Sequence, residues 1–118
     1  MAHEVYPIYS NNFGVAFSYC RTSNSNPKKI QIVFRDTGLL LTTEELYRFA
    51  LLVRNVLLKY RNDGYCRASD GCKKLLLDTP AHQITLAVNY YEIEAIDDLI
   101  QGTLFQLNLD DYLENTLN

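Results

Sequence analysis

The segment "LTTEELYRFALLVRNVLLKY", residues 41–60, decides how the rest of the chain reads. Thr42 followed by Glu45 is a capping box, a hydroxyl and a carboxylate three residues apart that can each bond the other's backbone N–H. Beyond it, Leu46, Phe49, Ala50, Val53, Val56, Leu57 and Tyr60 recur at helical spacing and share one side. The predicted helix ends in "RNDG", 61–64, where Gly64 is free to take the left-handed conformation. Before it, "KIQIVFR", 29–35, alternates Ile30, Ile32 and Phe34 with Gln31, Val33 and Arg35, the period of a half-buried strand. "DTG", 36–38, is expected to be the tight turn, with Gly38 at positive φ, and "LLL", 39–41, the returning strand.

The same order recurs downstream. "KKLLLD", 73–78, reads as a strand, "TPAH", 79–82, as a turn, and "QITLAV", 83–88, as a strand with Ile84, Leu86 and Val88 on one face. Asn89 and Glu92 then form a second capping box at the head of "VNYYEIEAIDDLIQGTLFQL", 88–107. An offset of 47 maps Thr42 onto Asn89, Glu45 onto Glu92, Leu46 onto Ile93 and Phe49 onto Ile96. It also maps Leu52 onto Leu99, Val53 onto Ile100, Leu57 onto Leu104 and Tyr60 onto Leu107. Residues 29–60 and 73–107 therefore read as two copies of a strand–strand–helix unit, although any amphipathic helix shares such a stripe.

Two further elements complete the pattern. "FGVAFSYCR", 13–21, alternates Phe13, Val15, Phe17 and Tyr19 with smaller partners and is read as one extra strand. A polar loop, "TSNSNPK", follows at 22–28. "NLDDYLENTLN", 108–118, suggests a short terminal helix capped by Asn108, packing through Leu109, Tyr112, Leu113 and Leu117. The expected fold class is α+β: an antiparallel sheet of about five strands with helices on one face, in a single domain spanning 1–118.

The 118 residues, 47% apolar and 21% charged, suit one globular core and no more. The opening "MAHEVYPIYSNNFG" lacks a basic segment followed by an apolar one, and no apolar run approaches the roughly 20 residues of a membrane span. A cytoplasmic location without membrane contact is the expectation. Cys20, Cys66 and Cys72 are odd in number and lack the spacing of a zinc knuckle, so they are expected to be unmetallated and unpaired.

The net charge of −3 conceals an uneven layout. All eleven Lys and Arg lie at or before Lys74, with six acids; residues 75–118 hold eight acids and no Lys or Arg. Three readings are open: attraction between the halves, a basic patch for an anionic partner, or an acidic surface for a protein partner. Arg21, Lys28, Lys29, Arg35, Arg67, Lys73 and Lys74, with Tyr19 and Tyr65, could gather into a nucleic-acid face, but no recognition motif accompanies them. "RNDGYCRASDGCKK", 61–74, reads as a binding loop or as a connector turned by its two Asp-Gly pairs.

Nothing in the chain spells catalysis. His3 lies near the terminus and His82 in a turn; no phosphate loop, nucleophile elbow or paired-histidine helix is present. No catalytic, cofactor or metal residue is assigned and no cofactor is expected. Asp97 falls where the first helix has Ala50, on the core side, and is expected at the stripe's edge or paired with a base from the first half. Tyr47, Leu51 and Leu58 form a second apolar stripe, about 120° from the core face. They are read as a candidate contact between chains, against the alternative of packing under another helix of the same chain.

The run "IQIVFRDTGLLLTTEELYRFALLV", 30–53, behind a strand ending near Cys20, resembles a family of small uncharacterised proteins found in Bacteroidetes. The resemblance covers roughly 13–105 and implies a strand, a short turn, a leucine-rich strand and a helix opening on an acid, then a second strand–helix unit. "RTSNSNPKK", 21–29, is longer than the family's connection. It implies no activity, so no site residue is carried over. The combined reading is a non-catalytic interaction module that self-associates as a homodimer or binds another protein; the alternative is a small-ligand or nucleic-acid-binding domain using the basic first half.

Overall fold

Both capping boxes form, and they set where the two helices begin. The Thr42 N–H donates to Glu45 Oε1 at 2.9 Å and the Glu45 N–H to Thr42 Oγ1 at 3.1 Å. The Asn89 N–H and the Glu92 carboxylate, and the Glu92 N–H and Asn89 Oδ1, repeat the exchange at 2.8 Å each. Thr42's N–H holds the Glu45 carboxyl below its ordinary range, against some desolvation; the Thr42 hydroxyl, Lys29 and Arg48 add to the lowering. The sign follows: the box's contribution is complete above the pKa of an unfolded Glu and is lost as pH falls through the lowered value.

The chain, seen in a computed structural model, is described over residues 5–19, 29–62 and 75–117. Its elements run β1 (Tyr6–Ser10), β2 (Gly14–Ser18), β3 (Lys29–Phe34), β4 (Thr37–Thr42), α1 (Thr43–Asn62), β5 (Leu75–Asp78), β6 (Thr85–Val88) and α2 (Tyr90–Leu117). The fold is α+β. Strands β1 to β4 form an antiparallel sheet in chain order, and β5 and β6 pair as a separate antiparallel hairpin. Ala16, Ile32 and Leu39 lie abreast across β2, β3 and β4. They share one buried cluster with Leu46, Phe49 and Val53 of α1, Leu77 of β5, and Ile93, Ile96 and Ile100 of α2. The two helices therefore cover the same face of the large sheet, with α2 over β1 and β2 and α1 over β4 and β5.

Several local expectations are corrected. The N-terminal region supplies two strands where one was read at 13–21. Asn11 accounts for the turn between them: its Oδ1 accepts the N–H groups of Phe13 and Gly14 at 2.8 and 2.9 Å, a side-chain-made turn. The hairpin turn of β3 and β4 is Arg35–Asp36 and not 36–38, because Phe34 pairs with Thr37. Arg35 takes the positive φ, 53°, that a two-residue hairpin turn of this hand demands at its first position. Gly38 sits inside β4 opposite Val33. Ile84 precedes β6 and is exposed, so only Leu86 and Val88 turn inward. No separate terminal helix exists: α2 runs 28 residues through Asn108, roughly 42 Å at 1.5 Å per residue. With no Pro or Gly near 108, nothing stops it. Leu109, Tyr112 and Leu113, expected to pack, are exposed.

Strand β2 alternates as read, yet in the opposite sense from its hydropathy. Ala16 and Ser18 are buried beneath the helices, while Val15 and Phe17 face away and are half-buried. Proximity of α2 explains the inversion. Gly14 lies directly under Leu99, leaving no room for a large side chain at that level. On the outward face Phe17 and Tyr19 meet edge to face at 5.3 Å.

Candidate functional site

The helix pair presents the main unabsorbed feature. Two contacts align its members: the Arg54 guanidinium meets Asp97 Oδ2 at 3.2 Å, and the Tyr47 hydroxyl donates to Asn108 Oδ1 at 3.3 Å. Moving from Arg54 back to Tyr47 moves forward along α2 from Asp97 to Asn108, so the helices are antiparallel. Leu51 and Leu58 lie four residues beyond Tyr47 and Arg54, hence on the same side of α1. Phe105 and Tyr112 lie three before and four after Asn108, on the matching side of α2. All five large apolar side chains are exposed, Leu51 at 65% and Phe105 at 68%. They line the solvent side of the seam between the two helices.

This arrangement places Tyr47, Leu51 and Leu58 in solvent, not under another helix of the same chain. It adds Phe105 and Tyr112, which the sequence reading did not single out. Their seven-residue spacing was the available signal, but an expected helix break at Asn108 divided it.

Asp97 pairs with Arg54, the cross-half partnership expected of it. Its Oδ1 is buried and has no hydrogen-bond partner among the described residues. Asp98, next on the helix, faces a different element. Its Oδ2 accepts from the Tyr9 hydroxyl at 3.0 Å and from Asn11 Nδ2 at 2.9 Å, while Asn11 Nδ2 also reaches the Ala95 carbonyl at 3.0 Å. The donated hydrogen bond to Asp98, with smaller effects of desolvation and the carboxylate's charge, raises the Tyr9 pKa above its ordinary value. The Asn11 side chain uses both its donor and its acceptor capacity in fastening the β1–β2 turn to α2. This cluster is a clamp.

A second clamp joins the two strand–strand–helix units. Arg35 forms an ion pair with Glu92, whose other oxygen serves the Asn89 cap. The guanidinium also stands 5.8 Å from the Phe13 ring centre, within cation–π range. Of the seven bases read as a possible nucleic-acid face, only Lys29 and Arg35 fall among the described residues, at opposite ends of β3 and about 20 Å apart at 3.3 Å per residue. Tyr19 is exposed beyond β2. Arg21, Lys28, Arg67, Lys73, Lys74, Tyr65, most of the 61–74 loop, His3 and the three cysteines lie outside the described residues. His82 is exposed in the β5–β6 turn. Among the described residues, no three His, Cys, Asp or Glu side chains gather as a metal site, and no helix is long and apolar enough to cross a membrane.

Fold and surface together define a small α+β protein whose distinguishing feature is an apolar strip along a paired-helix layer. The model of the family of unknown function DUF6686 matches residues 1–115, and the chain belongs to that family. No curated protein and no solved structure matches the chain.

Proposed function

We propose that this protein is a non-catalytic cytoplasmic interaction module that self-associates through the outer surface of its helix pair. The observation carrying the reading is the joint exposure of Tyr47, Leu51, Leu58, Phe105 and Tyr112 along one seam. Single exposed apolar residues are ordinary on monomers, but five large ones along one seam, interrupted by the Arg54–Asp97 pair, favour a contact surface. Each fully buried leucine is worth about 1.5–3 kcal/mol, and these are partly covered already, so each contributes less. The test is sedimentation of wild type beside Leu51→Glu/Leu58→Glu, with melting curves. The wild-type chain associates at micromolar concentration; the double variant binds itself at least tenfold more weakly, while its melting temperature stays within a few degrees. A wild-type chain monomeric at high micromolar concentration rules the reading out.

We also read β3–β4–α1 and β5–β6–α2 as two copies of one unit. Support comes from the reciprocal capping boxes at an offset of 47 and from Leu46, Phe49, Val53 and Leu57 matching buried Ile93, Ile96, Ile100 and Leu104. Equivalent caps have equivalent weight: Thr42→Ala and Asn89→Ala should each lower stability by about 1 kcal/mol in urea melts. A cost confined to one of them counts against equivalence.

A further inference from the structure

Resting on the self-association reading above, the charge layout of the helix pair points to one way for two copies to meet. We propose that the second copy docks with its α2 on this chain's α1, and its α1 on this chain's α2, about a two-fold axis parallel to the helices. The result is a four-helix layer enclosed between two sheets.

The argument begins with the exposed ionic side chains. Among the described side chains of α1 these are Arg48, Arg54 (paired with Asp97) and Lys59, with Glu44 as the sole exposed acid. Among the described side chains of α2 they are Glu94, Asp110 and Asp98, the last held by Tyr9 and Asn11, and α2 contains no Lys or Arg. One helix thus shows solvent a cationic surface and its neighbour an anionic one, on either side of the same apolar strip.

A self-complementary contact between two helix pairs has two simple forms. If the two-fold axis crosses the helices at right angles, α1 faces the partner's α1 and α2 the partner's α2. Cations then oppose cations and acids oppose acids, the juxtaposition that costs most in a contact from which water is being removed. If the axis runs parallel to the helices, each α1 meets the partner's α2, and the cations Arg48, Arg54 and Lys59 face an acidic helix. Among the described side chains the one like-charge opposition is Glu44, near the level of the partner's Asp110. Electrostatics selects the second form.

The internal register fixes which residues meet. Rotation about an axis parallel to the helices keeps each residue at its own level along them. Arg54 is level with Asp97 and Tyr47 with Asn108. The Arg54–Lys59 end of α1 therefore lies at the level of the partner's Glu94, and Leu51 and the partner's Phe105 both fall between the two marked levels. Opposite charges close one end of the strip while the apolar side chains interleave at its centre. Symmetry makes each contact twice.

Charge reversal tests the orientation separately from association itself. Lys59 and Glu94 are both exposed, so neither change disturbs the core. In sedimentation at low salt, Lys59→Glu and Glu94→Lys should each weaken self-association about three- to tenfold, two symmetric copies of a solvent-edge ion pair. Lys59→Glu/Glu94→Lys in one chain should return it to within about twofold of wild type. The neutral variants Lys59→Gln and Glu94→Gln should give smaller losses, and all five should melt with the wild type. Singles that associate as tightly as wild type or tighter, or a double that fails to recover, overturn the orientation while leaving self-association standing. A monomeric wild type overturns both.

Discussion

Gly14→Ala is expected to lower the stability of this protein by about 2–3 kcal/mol, read as a shift of the urea midpoint at unchanged slope. A Cβ at position 14 would overlap the Val33 carbonyl oxygen and come within 2.9 Å of Phe34 Cβ and 3.0 Å of a Leu99 methyl. The first of these is backbone, held by the pairing of β2 with β3, where Gly14 lies opposite Phe34. The last belongs to α2, so the methyl cannot be accommodated by moving the strand toward the helix. Alanine also restricts the unfolded chain, a stabilising effect of about 0.4–1 kcal/mol that the clash exceeds. A midpoint equal to or above the wild type's would show that α2 does not approach β2 this closely.

Gly102→Ala is the second large effect, and its sign should depend on a residue far away in sequence. A glycine inside a helix costs about 0.8–1 kcal/mol relative to alanine, so on propensity alone the change stabilises. Here a Cβ would run into the Tyr9 ring, with one ring carbon 2.6 Å away. The ring is not free to swing aside, because its hydroxyl is bound to Asp98 one turn earlier on the same helix. Gly102→Ala should therefore destabilise the wild-type chain by about 1–2 kcal/mol and stabilise a Tyr9→Ala chain by about 0.5–1 kcal/mol. The double-mutant cycle isolates the contact. Destabilisation of the same size in both backgrounds would place its cause outside the Tyr9 ring.

How much of this was readable in advance depended on how local each signal is. Both helix starts are legible because a capping box involves four consecutive residues and little else; Thr42–Glu45 and Asn89–Glu92 are correct to the residue. The inward faces of β3 and α1 follow from periodicity. The turn at Arg35–Asp36 was missed because Gly38 is the more obvious left-handed residue, while strand pairing places the reversal three residues earlier. The sense of β2 is not a hydropathy question at all. Room under α2 decides it, and that is known only once the helix is in place. The candidate contact surface divides the same way: Tyr47, Leu51 and Leu58 stand out within one helix, but Phe105 and Tyr112 join them only when α2 is seen to continue.

The clamp between the β1–β2 turn and α2 has a consequence for the order in which the chain can assemble. Tyr9 and Asn11 bond residues 84 to 89 positions later, so the fold is closed by its first and last elements together. The β3–β4 hairpin and α1 need only neighbours, and contacts of that range form early. Closing the N-terminal strands onto α2 must instead meet the entropy of a loop spanning most of the chain. During synthesis β1 and β2 emerge well before α2 and remain without their covering helix until it has been made. Shortening the chain from its C-terminal end by the length of α2 would leave Ala16 and the inward side of β2 uncovered, which is the condition under which sheet edges and apolar strands find one another between molecules.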